Sequence, residues 1–226
     1  MHDRIERNVP PRLLLASASP RRSELLALTG WPFEVLPADV DEQPLPGEAA
    51  ADQALRLAGE KAREAERGRQ KGRLVVAADT LVVLGEQVLG KPMDHADARR
   101  MLRQLRGGTH RVVTGVALLP PDGRRLMLER CESSVRMRRY TDAEIERYLA
   151  SGSPLDKAGA YGIQDAGFAP VAREAFGDCL ANVMGLPLCH LARGARRLGW
   201  EPPQDVPAAC QTHLGYDCPV HKEILN

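Results

Sequence analysis

The sequence predicts an α/β domain built on a mixed sheet. Three observations carry this. Short apolar runs of strand length alternate with stretches whose apolar residues recur at helical spacing. An apolar run, Val112 to Leu119, and a return stretch with polar residues on one face, Leu126 to Arg138, flank the turn Pro120-Pro121-Asp122-Gly123, which predicts an antiparallel hairpin within the sheet. The 226 residues are 43% apolar, which is enough for one large domain or two tightly joined lobes and argues against disorder.

Arg12 to Ala16 has the form of a short buried strand. Pro20 suits the first turn of the next helix, Ser19 is placed as its N-cap, and Leu25, Leu26 and Leu28 form its apolar side before Gly30 stops it. Phe33 to Leu36 is a second strand. A long helix is predicted from about Glu48 to Arg67, with Ala51, Leu55, Ala58, Ala62 and Ala65 on its apolar face and Lys61 at the edge of that face. Leu74 to Ala78 is a buried strand expected to halt at Asp79-Thr80. Leu81 to Leu84 and Val88-Leu89 follow as strand, turn, strand. Asp94 caps a helix to about Arg106. Val112 to Leu119 and Leu126 to Arg138 are the two arms of the hairpin. Thr141 to Glu144 has the capping-box pattern and opens a helix to Ala150. A Gly- and Pro-rich loop comes next, then short strands near Val171 and Val183. Pro187 starts the last helix, to about Leu198. No internal repeat is evident. From Gly199 the composition turns polar and Pro-rich, so residues 1–200 are expected to form the domain and 201–226 an extension.

The chain carries 31 basic and 30 acidic residues, a net charge of +1, so nothing points to a bulk polyanion such as nucleic acid. Met1 to Pro11 is polar and lacks the apolar run of a signal peptide. Leu74 to Leu84 is interrupted by Asp79 and is too short to span a membrane. A cytoplasmic protein with no membrane partner is expected. Five cysteines at irregular spacing argue against a secreted disulfide framework.

Four segments carry candidate chemistry. Ser17-Ala18-Ser19-Pro20-Arg21-Arg22 places hydroxyls, helix N-terminal N–H groups and two guanidiniums together, as an anion site requires. Taken alone, it is equally an ordinary capped first turn. Asp79 closes a buried apolar run, where an acid is costly unless paired or used. It suits a divalent metal or a water, or simply an Asx cap. Lys91, between Gly90 and Pro92, suits a phosphate contact or a plain surface position. In Asp156 to Gln164, small residues allow close approach to the backbone, and Gln164 offers a donor and an acceptor to a base edge.

Together these segments resemble the Maf family of nucleoside triphosphate pyrophosphatases. The resemblance rests on Ala16 to Arg22 with Leu25-Leu26, Asp41-Glu42, Glu60-Lys61-Ala62, Ala78-Asp79-Thr80, Gly90-Lys91-Pro92, Asp156 to Gln164 and Gly185-Leu186-Pro187. They fall in family order over about residues 12–198. The resemblance implies a Maf/inosine triphosphatase-like fold: a long, twisted mixed sheet with flanking helices, forming two lobes around a deep cleft. It implies a homodimer that uses Mg²⁺ or Mn²⁺ to hydrolyse a nucleoside triphosphate to monophosphate and pyrophosphate. By position it makes Asp79 the proton acceptor and Glu42 a supporting acid or metal ligand. Ser17, Arg21, Arg22, Lys61 and Lys91 become the triphosphate grip, and Arg21, Thr80 and Gln164 are tied to substrate choice. The run ending in Gln164 is similar to the subgroup acting on dTTP and UTP. Phe176 to Asn182 departs from the family norm, in which an aromatic often stands where Cys179 or Leu180 sits. The rival expectations are a nucleotide-sensing regulator of cell division without essential turnover, and the related inosine triphosphate pyrophosphatases.

The tail is unusual for that family. Cys210, His213, Cys218 and His221 form two Cys-x₂-His pairs, which either bind Zn²⁺ tetrahedrally or are incidental residues of a polar tail. The balance favours zinc, which would supply folding energy to a short polar segment.

Overall fold

A computed structural model describes residues 12–67, 72–165 and 167–226. The polar run Met1 to Pro11 lies outside the described residues. The helices are α1 (Pro20–Ala27), α2 (Ala50–Arg67), α3 (His95–Leu105), α4 (Asp142–Ala150), α5 (Leu180–Val183), α6 (Leu188–Arg197), α7 (Val206–Leu214) and α8 (His221–Leu225). The strands are β1 (Leu13–Leu15), β2 (Phe33–Val35), β3 (Leu74–Leu84), β4 (Gln87–Leu89), β5 (Thr109–Leu119) and β6 (Met127–Arg136). They form one sheet in the order β2-β1-β3-β5-β6, with β4 also paired to β3. β1 is parallel to β2 and β3, and the other pairings are antiparallel, so the sheet is mixed as expected.

The register places the site. β1 pairs with Leu74 to Val76, at one end of β3. β4 pairs with Val82 to Leu84, at the other end. β5 runs along the opposite edge of β3 from Val75 to Val83. Residues 77–81 therefore face a gap between β1 and β4, and the chain leaving β1 turns away at that gap. The core divides accordingly. Alternate residues of β3 point to opposite faces. Val75 and Ala77 pack with Ala58, Ala62 and Ala65 of α2, while Val76 and Ala78 pack with Leu25 and Leu26 of α1 and Leu191 of α6. A further cluster, with Leu102 of α3, Ile145 and Tyr148 of α4, and Tyr161, lies against Val82 and Val112.

Several sequence expectations change. β3 does not halt at Asp79-Thr80 but continues to Leu84. Asp79 pairs with Gly115 and Thr80 with Thr114 across the ladder, so the strand keeps its backbone bonds while the carboxylate finds a partner elsewhere. Val183 lies in α5, and Val171 makes only an isolated bridge to Met137. The helix at Pro187 is not the last, because α7 and α8 follow. Asp205 caps α7 by accepting from the Ala208 N–H, and Val206 and Cys210 enter the core beside Leu191 and Ala195. No helix among the described residues is long and apolar enough to cross a membrane.

The inward face of α2 is also rotated from the predicted one. Ala54, Leu57, Ala58, Lys61, Ala62 and Ala65 are buried, while Ala51 and Leu55 are only partly covered. Gly115 makes the close approach possible. A methyl group there would lie 2.3 Å from the Ala54 carbonyl oxygen. Without it, the first turns of α2 rest directly on β5, and Lys61, two turns further on, is carried over β3.

Candidate active site

A cleft of about 380 Å³ opens at the gap in the β3 edge. Ser17 to Arg22, Glu42, Lys61, Thr80, Lys91 and Gln164 line it. Asp79 lies just below the floor, with its side chain 9% exposed.

Lys61 is the centre of the floor. Its ammonium donates to Asp79 Oδ1 and to Glu42 Oε1, each at 2.6 Å. Lys61 and Asp79 are buried, whereas Glu42 is 63% exposed on its loop. A buried ion pair of this kind is costly to break, because removing one partner strands the other charge. Partial burial pushes the Glu42 carboxyl up, but the Lys61 hydrogen bond and the charges of Lys61, Lys91 and Arg22 outweigh it, so its pKa lies below the usual value. The Glu42 loop is tied to α2. The Gln53 side-chain amide donates to the Glu42 carbonyl at 3.3 Å. Arg56 donates to Glu48 at 2.6 and 2.8 Å and to the Gln43 carbonyl at 3.1 Å.

The two arginines of α1 have different positions. Arg22 reaches across the cleft wall, donating to the Gly185 carbonyl at 2.9 Å, Thr80 Oγ1 at 3.1 Å and Ser17 Oγ at 3.3 Å. Burial depresses its pKa, an effect opposed by Asp79, reinforced by Arg21 and opposed again by Glu42. Arg21 faces the other wall, where it forms a 3.6 Å ion pair with Asp156. Ser19 is the N-cap residue, as expected, but its side chain makes no capping bond. Ser17 Oγ instead accepts from the Ser19 N–H at 3.2 Å. Thr80 Oγ1 also shares a 3.0 Å hydrogen bond with Thr114. Because β3 alternates, Asp79 serves the α2 side of the cleft and Thr80 the α1 side.

Lys91 is exposed at the rim, and the Gly90 carbonyl accepts from the Gly159 N–H at 3.0 Å, joining this turn to the far wall. In that wall Gly159 and Ala160 both have left-handed backbones, with φ of 68° and 60°. Tyr161 is buried behind it, its hydroxyl 2.8 Å from His110 Nε2. Gln164 is exposed and lines the cleft. The expected site residues thus come together. Sequence reasoning missed the supports: Gln53 and Arg56 behind Glu42, Gly115 beneath α2, and Tyr148, Ser153, Lys157 and Asp165 behind Gln164. Only the tight Asp156 to Gln164 run signalled that something was held there.

The carboxylates fit a hard divalent cation. Asp79 and Glu42 converge on one ammonium through one oxygen each, and oxygen donors suit Mg²⁺ or Mn²⁺. Among the described residues, no group of three or more His, Cys, Asp or Glu is placed to hold a metal ion. Phosphate oxygens would therefore have to complete the shell, as is usual for Mg²⁺.

The zinc expectation for the tail is not met. Cys210 turns into the core, where burial pushes its thiol up to about 12. His213, one turn later on α7, points instead to Glu24 at 2.9 Å. His221 Nδ1 lies 2.7 Å from the Cys218 carbonyl. Among the described residues, these four side chains do not form a group placed to hold a metal ion.

A cleft lined by arginine and lysine cations, a carboxylate and an exposed amide is the make-up of a nucleotide-binding α/β protein. Residues 12–198 match the Maf-like protein family, and the chain belongs to that family. It is 50% identical over 200 residues to a dTTP/UTP pyrophosphatase of Anaeromyxobacter dehalogenans, covering 87% of this chain and 99% of the relative. It is 47% identical over 188 residues to the dTTP/UTP pyrophosphatase of Geobacter sulfurreducens, covering 83% of this chain and 97% of the relative. A solved nucleoside-triphosphatase/dITP/XTP pyrophosphatase from Mycobacterium abscessus is similar at a TM-score of 0.39 and 19% identity, over 71% of this chain and 81% of that one.

Proposed function

We propose that this chain hydrolyses dTTP and UTP to the nucleoside monophosphate and pyrophosphate, and so removes unwanted or modified pyrimidine nucleotides. The observation that carries this is the Lys61 ammonium at 2.6 Å from both Asp79 and Glu42, on the floor of a cleft that Gln164 also lines. The names of the similar proteins support the same substrates.

The roles follow from position. Ser17, Arg21, Arg22 and Lys91 surround the place for the triphosphate, where guanidinium forks match phosphate oxygens. Asp79 takes a proton from the water that attacks the phosphorus nearest the nucleoside. The bond from that phosphorus to the bridging oxygen breaks, and the electron pair leaves with pyrophosphate, whose charge the cationic side chains offset. In this structure Lys61 stands between Asp79 and the cleft. An incoming triphosphate draws its ammonium away, which exposes the Asp79 carboxylate to the water as substrate seats. Asp79 and Glu42 are the residues that would hold Mg²⁺ or Mn²⁺. Such an ion, when bound, neutralises charge on phosphate oxygens. Gln164 faces the imide edge of thymine or uracil, which offers two carbonyls and one N–H. The acting form is taken to be a cytoplasmic homodimer working on free nucleotide, and sedimentation of the purified chain tests the oligomeric state.

Incubation with dTTP, UTP, dCTP and ITP in Mg²⁺ tests the assignment. Pyrophosphate should form from dTTP and UTP ahead of the others. Preference for ITP would place the chain with the inosine triphosphate pyrophosphatases. Tight dTTP binding with no product would favour a nucleotide-sensing regulator.

A further inference from the structure

The segment that presents Gln164 has little regular structure beyond two short 3₁₀ turns, Ser153–Asp156 and Ala158–Ala160. Its shape is nevertheless fixed from behind. The Asp165 carboxylate is the hub. Its Oδ2 accepts a very short hydrogen bond from the Tyr148 hydroxyl, accepts from Ser153 Oγ at 2.8 Å, and lies 3.4 Å from the Lys157 ammonium. Lys157 is buried and also donates to the Ser153 carbonyl at 2.5 Å, Ser153 Oγ at 2.8 Å and Asp156 Oδ1 at 2.7 Å.

Tyr148 connects this hub to the cleft wall. Its hydroxyl accepts from the Gly162 N–H at 3.0 Å while donating to Asp165. Burial and the Asp165 carboxylate raise its pKa, so the hydroxyl keeps its proton and its direction as donor. The ring is stacked on Phe168 at 4.2 Å between centroids, which fixes the oxygen in place. Gly162 is required by proximity. A methyl group there would sit 2.6 Å from Asp165 Oδ1. The residues on either side of Gln164 are thus clamped: Gly162 by the Tyr148 hydroxyl, Asp165 by three donors.

We infer that Tyr148 and Asp165 are positioning residues for base selection, acting through the Gly162–Gln164 backbone rather than by touching substrate. The inference rests on the proposal that Gln164 reads the base. A charge-assisted hydrogen bond to a partly buried carboxylate is among the stronger ones, and losing the Tyr148 hydroxyl also leaves the Gly162 N–H without its partner. The phosphate end is built on α1, α2 and β3, and its links to this loop, the Arg21–Asp156 ion pair and the bond from the Gly159 N–H to the Gly90 carbonyl, involve neither Tyr148 nor Asp165. The clamp should therefore govern base discrimination while leaving the phosphate grip unchanged.

The test compares Tyr148→Phe and Ser153→Ala with the unchanged full-length chain. Two readouts are taken: the dTTP/dCTP ratio of kcat/KM, and inhibition by inorganic tripolyphosphate, which has no base. Tyr148→Phe should raise the KM for dTTP about tenfold with kcat within about twofold, and cut the dTTP/dCTP ratio about tenfold. Tripolyphosphate inhibition should stay within about twofold of the unchanged chain. Ser153→Ala removes one donor from Asp165 and should shift the ratio the same way by about threefold. A ratio unmoved in Ser153→Ala overturns the inference, whether or not Tyr148→Phe folds. So does a parallel weakening of tripolyphosphate inhibition. If Gln164→Ala leaves the ratio intact, it is the base-reading proposal that fails, and the clamp has nothing to position.

Discussion

At the phosphate end of the cleft, Arg22, Lys61 and Asp79 project from α1, α2 and β3. At the base end, Gln164 projects from a loop that Tyr148, Ser153 and Lys157 secure from behind through Asp165. The first arrangement takes its geometry from backbone ladders and helix packing. The second takes it from a few side-chain hydrogen bonds within one stretch of chain, Tyr148 to Asp165. The difference suits the two tasks. Triphosphate is the same in every nucleotide and calls for fixed charge. The base varies, and a loop can be retuned by changing its supports without disturbing the sheet.

The strongest way to break the comparison is to remove the central cation of the rigid end. Lys61→Met leaves Asp79 buried beside an apolar chain, and destabilisation of about 3–5 kcal/mol is expected, measured by denaturant unfolding. Little loss would mean that the Lys61–Asp79 pair does not hold this end together.

The base end should be the more acid-sensitive. His110 supports Tyr161, and burial lowers its pKa to about 4. Its folded pKa lies below the unfolded value, so the unfolded chain takes up the proton first. Stability is complete above about pH 6.5 and falls between about pH 6.5 and 4, by up to about 3 kcal/mol. His190 is shifted in the same direction and adds to the slope. Melting temperature against pH should fall less steeply in His110→Gln, and identical slopes would remove His110 from the account.

Gly115→Ala should push α2 off β5, at about 1–3 kcal/mol in stability, and raise the KM for dTTP by carrying Lys61 away from Asp79. An unchanged KM would show that Lys61 tolerates the shift. The smallest change is at the base itself. Gln164→Ala should reduce the dTTP/dCTP preference about tenfold while pyrophosphate is still released.

The same contrast explains how much of the molecule was legible in its sequence. Ser17 to Arg22, Asp79 and Lys91 announced themselves because a strand end, a helix cap and an out-of-place charge are local signals. Lys61 was placed at the edge of the α2 apolar face, since periodicity treats every lysine as polar. Only Asp79, 18 residues away on β3, turns it inward. An acid that interrupts an apolar run reads as a strand end, yet β3 continues through Asp79 because that acid is paired off the sheet. Tyr148 and Asp165 gave no signal, because their meaning exists only once α4 and the loop meet. In the tail, Pro-rich polar composition hid Val206 and Cys210, which the α7 helix delivers to the core. The Cys-x₂-His spacing that suggested zinc is one helical turn, but Cys210 is drawn into the core and His213 to Glu24.

The central claim is that Asp79, beneath Lys61, directs the water. Its most direct test is pyrophosphate release from dTTP in Mg²⁺ by Asp79→Asn, with dTTP affinity measured on the same protein. The account predicts turnover reduced by at least about 100-fold with dTTP still bound. Turnover at the level of the unchanged chain would contradict it.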